Sequence, residues 1–206
     1  SGSGKELVAQ SLAGLSGRPG KLVSVNCASI PHSLLEAELF GYEKGAFTGA
    51  SKSHKGKFEQ SHNGTLFLDE IGDMPQDLQS KLLRALETKS FTPVGSSREV
   101  AVDFRLVCAT HKNLYKQVVM KTFRSDLFFR ISAFPIRIPA LRDRAEDIEK
   151  LVYHLAQKLS QGLGDKQEFS IENDALWLMK TFPWPGNIRQ LRNVVECLMI
   201  RCNGKP

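Results

Sequence analysis

Apolar residues fall along this chain in two ways: short unbroken runs up to Ile138, and helix-spaced stripes after it. Leu22–Asn26 reads as a strand. Thr65–Asp69 reads as another, and its apolar positions do not alternate with polar ones, which predicts burial on both faces of a parallel sheet. Residues 105–110 and 134–138 supply two further strands. Helices are predicted between them. Residues 6–15 place Val8, Leu12 and Leu15 on one stripe, with Gly17 just past the end. Residues 31–40 turn Leu34, Leu35 and Leu39 inward, and Leu78, Leu82 and Leu86 mark a third helix. The stretch 91–102 suits a hairpin. Strands alternating with helices predict an α/β layered fold.

From Leu141 onward the strand signals stop. Ile148, Leu151, Val152, Leu155 and Leu159 form one amphipathic stripe, entered through Asp143 with Glu146 three residues later, the spacing of a capping box. A second helix is expected over 172–181. A third opens at Asn187 after Pro185-Gly186, with Gln190 placed for another box and Ile188, Leu191, Val195 and Leu198 buried. The expected organisation is an α/β domain over 1–140 and a small helical domain over 141–206, with no internal repeat and no low-complexity tract.

Composition narrows the picture. The chain has 206 residues, 41% hydrophobic and 24% charged, as in an ordinary water-soluble domain pair. No apolar run approaches the roughly 20 residues that span a bilayer, and the opening residues lack the layout of a signal peptide. A cytoplasmic protein with no membrane partner is expected. Cys27, Cys108, Cys197 and Cys202 lack metal-ligand or redox spacing and read as structural thiols. The net charge of +6 invites a nucleic-acid reading. However, basic residues are interleaved with acids, as in Arg142-Asp143-Arg144-Ala145-Glu146-Asp147, and no DNA-reading motif is present.

Four pieces carry candidate chemistry. Gly2-Ser3-Gly4-Lys5 has the form of the second half of a phosphate loop, in which backbone N–H groups at a helix start face phosphate oxygens and lysine neutralises their charge. Glu6 stands where many such loops carry Ser or Thr for magnesium. A flexible tag remnant is the bland alternative. Leu66-Phe67-Leu68 followed by Asp69-Glu70 has the form of an acidic strand end, with Asp69 a ligand for Mg²⁺ and Glu70 a group that polarises attacking water. Arg124 and Arg130 flank Ser125-Asp126-Leu127-Phe128-Phe129, and a guanidinium spreads charge over a transferring phosphoryl group; the alternative for Arg124 is a local ion pair with Asp126. Arg189 is a further phosphate contact or a plain surface arginine. The last piece is Gly45-Ala46-Phe47-Thr48-Gly49-Ala50, which reads either as a glycine-hinged loop with an exposed Phe-Thr tip or as a buried tight turn. In the company of the other three, the loop reading is preferred.

In this order, the pieces resemble the central AAA+ ATPase domain of bacterial sigma-54-dependent transcriptional activators. The resemblance covers essentially the whole chain. It includes Ser24-Val25-Asn26-Cys27-Ala28, Glu38-Leu39-Phe40-Gly41, the 45–50 hexapeptide, Gly64 through Glu70, Phe123-Arg124-Ser125-Asp126-Leu127 and Trp184-Pro185-Gly186-Asn187-Ile188-Arg189. Generic AAA+ proteins lack the hexapeptide. The resemblance implies a P-loop parallel sheet flanked by helices, truncated at its first strand, with an all-helical lid.

It also implies roles. Gly2, Ser3, Gly4, Lys5 and Glu6 surround ATP phosphates, Asp69 holds Mg²⁺, and Asn26 restrains the catalytic Glu70. Thr110 is at the sensor I position, followed by His111 where many relatives have Asn. Arg124 and Arg130 are arginine fingers presented to a neighbouring subunit of a hexameric ring, and Arg189 is the sensor II arginine. Gly45, Ala46, Phe47, Thr48, Gly49 and Ala50 engage sigma-54 of RNA polymerase, and DNA is addressed through a domain absent from this chain. The implied activity is ATP hydrolysis that remodels the closed polymerase–promoter complex. The chain opens after the first glycine of the phosphate loop, so little turnover by the 206 residues alone is expected, with an open slot in the sheet. A module that grips sigma factor or sister subunits without turnover is the alternative, and a protease-associated unfoldase a more distant one.

Overall fold

The computed structural model describes residues 2–163 and 169–202. Its elements run α1 (Lys5–Gly14), β1 (Leu22–Asn26), α2 (His32–Phe40), β2 (Gly41–Tyr42), β3 (His54–Lys55), α3 (Lys57–Gln60), β4 (Thr65–Asp69), α4 (Gln76–Thr88), β5 (Ser90–Phe91), β6 (Val100–Ala101), β7 (Arg105–Cys108), α5 (Leu114–Val119), α6 (Ser125–Ile131), α7 (Asp147–Leu163), α8 (Asn173–Thr181) and α9 (Asn187–Cys202). Glu6–Pro135 forms one compact unit; the opening residues through Lys5, together with the chain from Ile136, form another. The division therefore falls before residue 140, and the opening segment sides with the later helices.

In the first unit a parallel sheet runs β1-β4-β7, with β4 in the centre. Thr65, Leu66, Phe67 and Leu68 are all buried, as their unbroken apolar run requires. Register pairs Leu22 with Thr65 and Asn26 with Asp69 on one side, and Leu68 with Cys108 on the other. The strands are hydrogen-bonded to one another with no slot between them. The helices follow the apolar stripes: α4 buries Leu78, Leu82, Ala85 and Leu86 and stops at Lys89 in the left-handed region. The hairpin expected over 91–102 forms as the short β5–β6 ladder, Phe91 opposite Val100.

The core is centred on Phe58, which is fully enclosed and stacks on Phe40 at 4.8 Å, with Phe104 edge-on at 5.2 Å and Phe91 at 5.7 Å. Its helix α3 has only four residues, too few to show a helical stripe in the sequence.

Several expectations fail locally. Residues 134–138 form no strand: they pair with no other strand among the described residues, Pro135 and Pro139 supply no N–H, and Phe134 is 94% exposed. Leu15 lies beyond the end of α1 and is 86% exposed, so Ala9 is the buried residue of that helix. Leu34 faces outward, leaving Leu35, Leu39 and Phe40 as the buried residues of α2. The strand at 105–110 ends at Cys108.

In the second unit α7, α8 and α9 surround Leu141, Ile148, Val152, Ala156, Met179, Trp184, Leu191 and Val195. The stripe of α7 is as predicted, but the helix starts at Asp147; Asp143 belongs to a separate 3-10 turn, Leu141–Arg144. Leu198 is exposed and Ile188 half-buried. Gln190 does reach back, its side-chain oxygen accepting from the Gly186 N–H at 3.0 Å. Asn187 instead accepts from the Leu141 N–H at 2.8 Å, tying the 3-10 turn to the start of α9. The side chain of Cys202 lies outside the described residues.

Because Phe58 is the meeting point of three other rings, Phe58→Ala should cost about 3–5 kcal/mol of the first unit's stability. Urea unfolding with near-ultraviolet dichroism checks this, and a loss below about 1 kcal/mol would contradict the packing described.

Candidate functional site

The acidic strand end is built by register. Asn26 ends β1 directly opposite Asp69 at the end of β4, and its amide donates to Asp69 Oδ2 at 3.3 Å while its own oxygen accepts from the Ala28 N–H at 3.0 Å. The other Asp69 oxygen accepts from the Glu70 N–H at 3.0 Å. Asn26 thus reaches toward Asp69, whereas the resemblance implied a restraint on Glu70. Glu70 leaves the strand with φ 52° and ψ 46°, a left-handed conformation that a side chain adopts only under constraint. The constraint comes from β7: the Ile71 N–H donates to Ala109 at 2.9 Å, and the Glu70 carboxylate accepts from the His111 N–H at 3.1 Å and meets His111 Nδ1 at 2.8 Å.

Thr110 follows β7 and turns its hydroxyl oxygen to the Lys112 N–H at 3.0 Å; Lys112 pairs with Asp73 at 2.5 Å. A Cβ on Gly72 would lie 2.9 Å from the Thr110 hydroxyl, so glycine is required for the 3-10 turn Ile71–Asp73 to pass this side chain. Asn26, Asp69, Glu70, Thr110 and His111 are therefore gathered at the carboxyl ends of the parallel strands.

Gly2, Ser3, Gly4 and Lys5 belong to the unit that contains Arg189. The Ile188 N–H donates to the Gly2 carbonyl at 3.0 Å, and Arg144 Nη2 to the Ser3 carbonyl at 3.0 Å. Gly2 has φ 73°, and a Cβ there would meet the Gly186 carbonyl at 2.7 Å and Arg189 Cβ at 2.9 Å. A tag remnant would not be packed this way. Arg189 lies in the first turn of α9 and is exposed; Glu6 is exposed in the first turn of α1.

Arg124 and Arg130 sit at opposite ends of α6. Arg124 pairs with Asp126, Nε to Oδ1 at 3.0 Å and Nη2 to Oδ2 at 2.6 Å, and also donates to Ser80 at 3.1 Å. The guanidinium holds the Asp126 carboxyl below the usual carboxylate range, and that pairing in turn raises Arg124. Any stability from the pair is present at neutral pH and fades as acid protonates Asp126. Its backbone is fixed by buried Gln79, which accepts from the Arg124 N–H at 2.9 Å and donates to Met74 at 2.8 Å. Arg130 reaches the Leu86 carbonyl at 3.3 Å. A cleft of about 280 Å³ beside Arg124 is lined by Gln76, Val118, Lys121, Phe123 and Ser125.

The hexapeptide forms a closed turn at the end of the β2–β3 ribbon. The Gly45 N–H donates to Ala50 at 2.8 Å and the Ala50 N–H to Phe47 at 3.0 Å. Gly45 and Gly49 take φ 84° and 102°, and a Cβ on either would meet no atom within 4 Å, so the positive φ and not crowding favours glycine there. Ala50 is buried, whereas Thr48 is exposed and Phe47 is 42% exposed. The Phe47 ring meets Tyr42 edge-on at 4.9 Å, and Tyr42 stacks on His54 at 5.4 Å. Sequence reasoning missed Tyr42 and His54; their place opposite each other in the ribbon is a pairing that no local pattern displays.

Taken unit by unit, the loop residues have the chemistry of a phosphate site and the acidic strand end that of a magnesium ligand. Gly2 and Gly4 both hold positive φ at a helix start, where backbone N–H groups serve anions. Asp69 ends a buried strand as an oxygen ligand. Among the described residues no group of three or more His, Cys, Asp or Glu side chains could hold a metal ion. No described helix is long and apolar enough to cross a membrane.

Comparison with known proteins places the chain in context. Residues 1–137 match the Sigma-54 interaction domain family and residues 142–206 the AAA+ ATPase lid domain family. The chain is 47% identical over 204 residues to the DNA-binding transcriptional activator HyfR of Escherichia coli (strain K12), covering 98% of this chain and 30% of that protein. To the DNA-binding transcriptional regulator NtrC of Rhizobium meliloti (strain 1021) it is 50% identical over 199 residues, covering 96% and 41%. The chain thus spans less than half the length of these relatives. Among solved structures, NtrX of Brucella abortus in complex with ATP superposes with a TM-score of 0.90 at 42% identity, covering all of this chain and 46% of NtrX. Hsp104 bound to ATPγS and casein shares the fold alone, with a TM-score of 0.70 at 18% identity.

Cys27 is buried beside the acidic strand end; burial first, then the charges of Asp69, Asp73 and Glu70, push its thiol up to about 12. Burial pushes Cys108 up as well. A thiol whose titration is raised stays protonated, hence unreactive, at every pH below that value. In the folded chain at pH 8, iodoacetamide should therefore label exposed Cys197 and spare Cys27 and Cys108; mass spectrometry of the digested protein checks this, and prompt labelling of Cys27 would refute the environment described.

Proposed function

We infer the function from one premise: this chain belongs to the Sigma-54 interaction domain family. Its relatives are transcriptional activators, and its lid is that of AAA+ ATPases. From there we propose ATP hydrolysis coupled to remodelling of sigma-54 in the closed RNA polymerase–promoter complex, inside the cell and in a hexameric ring. The observation that carries the reading is the pairing of Asp69 with Glu70 at the end of the central buried strand, each carboxylate taken up by a partner from a neighbouring strand or its exit.

On this reading Lys5 and the N–H groups of Ser3 and Gly4 hold the phosphates, with Glu6 beside them and Arg189 contacting them from the lid. Magnesium, when bound, neutralises phosphate charge, and Asp69 is its protein ligand. Glu70 orients water and accepts its proton; Asn26 and Thr110 fix the polar surroundings. Arg124 and Arg130 serve a neighbouring subunit's phosphates, so Arg124 must exchange Asp126 for that anion. Because the arginines and the acids then belong to different copies, the state of the phosphates biases how subunits sit. Phe47 and Thr48, at the tip of a turn whose glycine hinges meet no obstruction, supply the contact with sigma-54.

The test uses a protein that carries this domain behind a complete phosphate loop. Phosphate release should fall about 10²–10⁴-fold in Glu70→Gln while ATP stays bound, as expected when a general base is removed. Arg130→Ala should reduce turnover about 10³-fold or more without loss of fold. Undiminished hydrolysis by the Glu70 variant would overturn the assignment of the base. Thr48→Ala should hydrolyse ATP as before and fail to form open promoter complexes; transcription that survives this change would sink the role of the loop.

A further inference from the structure

Resting on the phosphate-binding reading above, we infer that Arg144 is a positioning residue that sets the direction of the phosphate loop's own N–H groups. In a planar trans peptide the carbonyl of one residue and the N–H of the next point to opposite sides. Fixing a carbonyl therefore aims the following N–H. The Ser3 carbonyl accepts from Arg144 Nη2 at 3.0 Å, which turns the Gly4 N–H away from Arg144. The Gly2 carbonyl accepts from the Ile188 N–H at 3.0 Å, which turns the Ser3 N–H away from α9 in the same manner. Two consecutive N–H groups are thus aimed away from the residues that hold the carbonyls, the direction an anion would have to approach from.

Arg144 is itself held in place. It closes the 3-10 turn that begins at fully buried Leu141, and that turn is anchored by Asn187 through the Leu141 N–H at 2.8 Å. Asn187 takes φ 52° and Trp184 takes φ 43°, so the segment entering α9 carries backbone strain at two side-chain-bearing residues. Trp184 is locked by its ring N–H on the Met179 carbonyl at 2.7 Å. The chain of contacts runs from a buried, strained corner to one carbonyl of the phosphate loop. Arg144 Nε is buried with no partner among the described residues. A guanidinium left partly unsatisfied to hold a single carbonyl is a poor stabilising device; it is what orientation of that carbonyl requires.

The experiment follows backbone amide and carbonyl signals of the 206-residue chain, labelled with nitrogen-15 and carbon-13, by NMR during titration with tripolyphosphate. The Ser3 and Gly4 signals should move in the unsubstituted chain. Arg144→Met keeps the apolar stem and removes the donor, so its affinity should drop about 10-fold, the worth of one charge-assisted hydrogen bond. Arg144→Lys, which restores a donor, should recover most of that loss. The Ser3 carbonyl carbon should shift in the Met variant and return toward its original place in the Lys variant, a signature that lid stability or charge alone would not produce. Equal affinity of the Met variant overturns this inference while leaving the functional reading intact. If the Met variant does not fold, a Lys variant that binds no better than about 10-fold below the parent overturns it. No response of Ser3 and Gly4 in the unsubstituted chain overturns both.

Discussion

Burial of Thr65, Leu66, Phe67 and Leu68 on both faces is the constraint from which the rest of the site follows. The strand's pairing with a parallel partner on each side, Leu22 opposite Thr65 and Leu68 opposite Cys108, sets where it ends. Its last residue is consequently fixed in space, and so are the residues opposite it: Asn26 on β1 and the exit of β7 at Ala109 through His111. The strained backbone of Glu70 is affordable because three contacts from that exit over-determine it. An acidic pair in a loop would have none of this support.

How legible was this in the sequence? The central strand announced itself, since five residues without polar alternation have few other uses, and the acidic pair at its end was readable for the same reason. The helix stripes of α4 and α7 were equally plain. What stayed hidden was whatever depends on pairing across the chain. Phe58 lies in a four-residue helix with no period to read, yet it is the centre of the core. Residues 134–138 have strand composition, but a strand is made by its neighbour, and these find none among the described residues. Asp143 and Glu146 had capping-box spacing, but the buried Leu141 and its bond to Asn187 recruited the segment into a 3-10 turn first. Local propensity lost there to a tertiary contact.

The same distinction separates the site residues. Each motif was visible as a string; of the groups that orient it, His111 on Glu70 had been singled out, while Gln79 behind Arg124 and Arg144 on Ser3 had not. Each comes from a distant part of the sequence and touches the motif through a backbone or carboxylate atom. Orientation is thus distributed over residues whose own letters carry no functional signature. The ion pair of Arg124 with Asp126 illustrates the point from the other side. It was foreseen as the bland reading, and it is what the structure holds; on the proposed function it is a resting arrangement that an incoming phosphate must outcompete. Both partners are substantially exposed, so water and salt weaken the pair and the exchange is cheap.

The hexapeptide turn obeys a similar economy. Its interior bonds, Gly45 to Ala50 and Ala50 to Phe47, keep it a closed unit, so motion at the flanking ribbon would carry the tip whole. At the tip Phe47 meets Tyr42 edge-on, and an aromatic pair of this kind contributes about 0.5–1.5 kcal/mol. That is roughly a 2- to 13-fold bias at room temperature, small beside the several kcal/mol that separate nucleotide states in a switching protein. A fully buried phenylalanine would cost about 3–5 kcal/mol to withdraw and would lock the turn. A fully solvated one would cost nothing and transmit no preference. Phe47, a little over half covered, lies between those limits, which is the intermediate hold that the proposed function asks of a movable tip.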